Sequence, residues 1–86
     1  MDRPSYLTDK YLESISDVIF SLEVMTSHHP ENIANAVNDL FEKLSIPASV
    51  IGWYDPLTND HSNGYESVKH TTYEIKTIHY FLIKIN

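Results

Sequence analysis

The segment Thr77–Asn86, TIHYFLIKIN, constrains the fold of this chain more than any other. Side chains of a strand alternate between two faces. Ile78, Tyr80 and Leu82 then point one way, and Phe81, Ile83 and Ile85 the other. Both faces are apolar, whereas a strand on a half-solvated sheet alternates apolar and polar residues. The strand needs cover on both sides, and 86 residues are enough for only one domain and one core.

The first half of the chain repeats with a helical period. Leu7, Tyr11, Ile15, Val18, Ile19, Leu22 and Met25 form one apolar stripe. Pro4 precedes it, and Ser5 or Thr8 can cap it. The pattern predicts a helix from about residue 6 to about residue 26. Pro30 suits the first position of a second helix, and Glu31 complements its dipole. Ile33, Val37, Leu40, Phe41 and Leu44 form the second stripe, with Ala36 as a small contact residue. Ile46-Pro47 ends that helix, because a residue before proline avoids the α region. The connector TSHHP is short, so the two helices are expected to form an antiparallel hairpin over residues 5–46.

The second half changes period. ASVIGWY, Ala48 to Tyr54, reads as a strand, DPLTND as a turn, and Asn63-Gly64 as a second turn. Residues 65–85 contain no glycine or proline, yet a single strand of that length would span about 70 Å. A bend, bulge or tight turn between Thr71 and Thr77 is therefore expected, giving two strands. A short helix over residues 65–72 is the alternative, and Val68, Thr71 and Thr72 weigh against it.

The expected architecture is α+β, a single domain over residues 1–86. An N-terminal helical hairpin packs on one face of a small antiparallel β-sheet of two to three strands (ααβββ), the sheet part spanning residues 47–86. The covered face takes Ile75, Phe81, Ile83 and Ile85 with one side of Val50 to Trp53. Two helices cannot cover both faces. Ile78, Tyr80 and Leu82 are thus expected to form a self-association surface, most simply that of a two-fold homodimer. Cover by the first helix and loop 55–64 is the alternative.

Charge narrows the function. The net charge is −6, and eight of the twelve acids precede residue 47. No basic patch exists to replace phosphate counterions, so neither direct nucleic-acid binding nor anionic-lipid binding is expected. No apolar run approaches the roughly 18 residues of a membrane span, and MDRPSYLTDKYLES lacks the form of a secretory signal. With no cysteine, a cytoplasmic protein is expected.

Catalytic and metal chemistry find little support. His28 and His29 are adjacent and point apart, and a capping or surface role suits them better than metal ligation. His61 is assigned to a loop, and His70 and His79 to strands. No HExxH, paired histidine at helical spacing, GxSxG or phosphate loop occurs, and Gly52 and Gly64 are the only glycines. Asp55 and Asp60 flank a turn, where aspartates usually serve the turn itself. A non-enzyme without metal or cofactor is expected.

Residues 38–60, NDLFEKLSIPASVIGWYDPLTND, resemble the opening of a GAF domain: a helix ending in leucine, a short link, and an apolar strand closing on Tyr-Asp-Pro. GAF domains are usually longer and add the strands and helices that complete a ligand pocket. The resemblance implies a small-ligand sensor or binding module, with a pocket between helices and sheet lined by Trp53, Tyr73 and Phe81.

The leading expectation is a small acidic non-catalytic protein that works by binding another protein. Inhibitors of the immunity, antitoxin or phage-encoded anti-host type share its size and charge. It would occlude a basic surface of its partner, for instance a nucleic-acid-binding enzyme. Glu13, Asp17, Asp39 and Glu42 would supply the charge, and Trp53, Tyr54 and Asp55 the anchors.

Overall fold

The structure, a computed structural model, describes residues 9–26 and 29–85. Pro4, Ser5, Leu7, Thr8 and His28, to which roles were assigned above, lie outside them. Two N-terminal helices, α1 (Asp9–Thr26) and α2 (Pro30–Lys43), precede the strand β1 (Ala48–Asp55). A two-residue strand β2 (Asp60–His61), a short helix α3 (Tyr65–Val68) and a 3₁₀ turn (Lys69–Thr71) follow. Strands β3 (Tyr73–Lys76) and β4 (Tyr80–Ile85) complete the fold. The antiparallel sheet has the order β2-β1-β4-β3, with β4 in the middle. The expected α+β class, a helical pair followed by a small antiparallel sheet, is the one observed.

The core lies between helices and sheet. Ile15 and Ile19 of α1 and Ile33, Ala34, Val37 and Phe41 of α2 meet Ala48 and Val50 of β1, Ile75 of β3, and Phe81 and Ile83 of β4. Tyr11, Leu22, Ile46, Trp53, Tyr73 and Ile85 pack around them. Val18, Met25 and Leu44, assigned above to the two stripes, are instead exposed. They sit at the margins of stripes whose centres are already filled. His29 caps α2, its Nδ1 accepting the Glu31 N–H at 3.2 Å. After Lys43 the chain turns through Ser45, whose φ of 55° stops helical propagation.

Residues 65–72 do not form a strand. Glycine at 64 adopts φ 75° and starts α3, and the hydroxyls of Thr71 and Thr72 both donate to the Val68 carbonyl, at 3.0 and 3.1 Å. The β-branched residues that argued for a strand thus end a helical turn through their side chains. His70 accordingly lies in the 3₁₀ turn, not on a strand. The chain reverses at residues 77–79, where Thr77 N–H donates to the His79 carbonyl at 2.8 Å. Ile78 and His79 therefore belong to a turn, not to β4.

The second face of β4 is also covered, and by α3. Leu82 is fully buried, and Tyr65 of α3 is 3% exposed. Between them lies Gly52, opposite Leu82 in the β1–β4 ladder. A Cβ at this position would stand 3.1 Å from Leu82 Cδ1, 3.2 Å from Ser62 Oγ and 3.5 Å from the Tyr65 ring, so the bare backbone lets α3 lie close. The expected self-association face is corrected on this ground. Leu82 is sealed beneath Tyr65, Tyr80 is half-buried, and only Ile78, out on the turn, is exposed.

Candidate functional site

Register decides where the anchors of β1 go. Val50 pairs with Ile83 and Gly52 with Leu82, so Ile51 is a bulge. The extra residue shifts the alternation, so Val50 and Trp53, three apart, both face the helices. Trp53 joins the core and meets the His29 ring edge-on, centroids 4.9 Å apart. Tyr54 opposes Tyr80 on the other face, and its hydroxyl donates to Asn59 Oδ1 at 2.7 Å. Asp55 closes the expected turn, accepting the Leu57 N–H at 3.0 Å. Its slight burial pushes its carboxyl upward. The hydrogen bonds from Leu57 and Thr58, aided by the His79 charge, outweigh that and hold it below the ordinary value. Trp53, Tyr54 and Asp55 therefore do not share a surface: one is core, one lies on the far face, and one serves a turn.

The four helical acids are all exposed. Glu13 and Asp17 lie one turn apart on α1, and Asp39 and Glu42 three residues apart on α2. The outer side of α1 holds more than charge. Glu13, Asp17, Phe20 and Val24 recur at spacings of four, three and four and share one face. Phe20 is 50% and Val24 57% exposed. The α1 apolar stripe lies on the opposite side, in the core, so these two residues stood outside the helical pattern that sequence reading follows. Their signal was their very failure to fit that stripe.

One buried group was missed altogether. Glu23, which no sequence pattern singles out, is 3% exposed. Its Oε2 accepts the His79 backbone N–H at 2.9 Å and lies 2.6 Å from His79 Nδ1. Glu23 Oε1 has no hydrogen-bond partner among the described residues. The contact ties the end of α1 to the β3–β4 turn across 56 residues of sequence, which no local pattern announces.

Among the described residues, no cluster of three or more His, Asp or Glu side chains could hold a metal ion. Trp53, Tyr73 and Phe81, which the GAF resemblance set around a ligand, belong to the apolar core or pack against it, Phe81 with no exposure. Among the described residues, no helix is long and apolar enough to cross a membrane. No family model matches the chain, and no curated protein or solved structure matches it either.

Proposed function

We propose that this protein acts without catalysis by binding a basic surface of another protein through the outer side of α1, as an occluding inhibitor does. The single observation that supports this most is the exposed stripe of Glu13, Asp17, Phe20 and Val24. Two acids steer and register a cationic partner, and an adjacent half-exposed aromatic ring gains by losing its water. Long-range attraction speeds encounter and weakens with salt, while buried apolar contact slows release. Asp39 and Glu42 on α2 extend the negative field without joining the stripe.

The test is affinity capture from the cells that make the protein, comparing the native chain with Glu13→Lys/Asp17→Lys and with Phe20→Ser/Val24→Ser. The reading expects one captured protein of basic surface, lost with either variant and weakened by salt. Capture that survives the double charge reversal unchanged contradicts it.

A further inference from the structure

The sheet face turned away from α1 and α2 carries a groove of about 370 Å³, within the range of small-molecule sites. Its floor is aromatic. The Tyr54 ring lies 5.7 Å from that of Tyr65 and 5.4 Å from that of Tyr80, tilted by 33° and 38°. Its walls come from separate segments: Asn59 and His61 beside the β1–β2 turn, Glu66 and Lys69 after Gly64, and Glu74 and Lys76 on β3.

The floor is held before any ligand arrives. Tyr65 lies wedged against Gly52 and donates its hydroxyl to Glu74 at 2.5 Å. Tyr54 is tethered through Asn59. Lys76 Nζ stands 5.1 Å from the Tyr80 ring centre. A floor fixed in this way loses little side-chain freedom on binding.

We propose that this groove binds a neutral sugar ring. Its charges cancel locally: Lys69 pairs with Glu66 at 3.1 Å and Lys76 with Glu74 at 3.6 Å. An anion entering the groove meets two carboxylates, and a cation meets two ammonium groups. A wholly apolar ligand strips water from all four charges and offers them nothing. A sugar ring satisfies both parts of the site. Its C–H face lies against the half-buried Tyr54 and Tyr80 rings, with Tyr65 buried behind them, and its hydroxyl edge donates to carboxylates and the Asn59 carbonyl while accepting from the lysines. The groove lies on the face opposite the α1 stripe, so this proposal stands apart from the protein-binding reading.

The test is an NMR titration of the full chain with neutral oligosaccharides of glucose, galactose, mannose and N-acetylglucosamine. Adenosine serves as a planar uncharged comparison, and glucose 6-phosphate as an anionic one. At least one neutral saccharide is expected to shift the ring resonances of Tyr54 and Tyr80 with saturation at roughly millimolar concentration. Tyr80→Ala should weaken that saccharide about tenfold, and Tyr80→Phe, which keeps the stacking face, by much less. Lys69→Met at this half-buried position provides a second variant, removing a hydroxyl partner without touching the floor, and should also weaken binding. The proposal is overturned if no saccharide shifts these rings at about 20 mM. It is equally overturned if adenosine or glucose 6-phosphate binds there more tightly than every neutral saccharide.

Discussion

At the residue scale, two side chains do what their residue types alone would not suggest. Glu23 is a carboxylate inside the fold, bonded twice to His79 at the far end of the chain. Removing Glu23 leaves the His79 backbone N–H and ring nitrogen, largely shielded from water, without their acceptor. Glu23→Ala is therefore expected to lower the unfolding free energy by about 3 kcal/mol, measured by urea denaturation. A loss below about 0.5 kcal/mol would mean that water already shares the site. Tyr65 is the second. Its burial, then its hydrogen bond to Glu74 and the nearby negative charges, raise its phenol above the ordinary value of 10.0. The raised group contributes stability that is complete below pH 10.0. Above that pH the unfolded chain gives up the Tyr65 proton before the folded one does, so stability falls as pH climbs. Thermal melts from pH 9 to about 11.5 should show a steeper loss in the native chain than in Tyr65→Phe. Parallel curves would remove Tyr65 from the account.

At the scale of elements, β1 shows how an edge is closed without a full neighbouring strand. Strand β2 pairs with it only at Tyr54 and Asp55. Farther along, the Asn38 side chain of α2 takes the place of a strand: its Oδ1 accepts the Val50 N–H at 2.7 Å, and its Nδ2 donates to the Val50 carbonyl at 3.1 Å. Ser62 Oγ accepts the Trp53 N–H at 2.9 Å. Asn38→Leu strips both bonds from Val50 and should cost about 2 kcal/mol, with faster aggregation through the opened edge. Unchanged stability and solubility would show the edge to be protected some other way. The same strand shows where sequence reading stops. Helices α1 and α2 and strands β1 and β4 were legible because each is long enough to show its period. The Ile51 bulge was not: Gly52 stands beside it, but only the pairing of Val50 with Ile83 and of Gly52 with Leu82 reveals the extra residue. Helix α3 was only the alternative weighed for residues 65–72, because four residues are too few to show a helical pattern. Its place is set by Tyr65 meeting Gly52, a contact between residues 13 apart in sequence. The candidate site was half legible. The acids of α1 could be named from sequence, but Phe20 and Val24 join them only once the core is known to use the other side of the helix.

At the scale of the molecule, the fold has two unlike outer surfaces. The helical side exposes Asp9, Glu13, Asp17, Glu31, Asp39 and Glu42, and the far side of the sheet carries the tyrosine groove with its two balanced ion pairs. Leu82 lies beneath Tyr65, so the apolar strand that opened the question has both faces covered within one chain. The proposed protein contact uses the helical side, where Phe20 and Val24 stand exposed one to two turns beyond Glu13 and Asp17 on the same face of α1. A photo-cross-linking residue placed at Phe20, with one at the exposed Leu57 for comparison, tests this most directly. Irradiated in the cells that make the protein, the Phe20 position should form a discrete adduct with a protein of basic surface, and Leu57 should not. The Phe20 adduct should disappear when Glu13 and Asp17 are changed to lysine. No adduct from Phe20, or the same adduct from Leu57, would contradict the assignment of α1 as the binding surface.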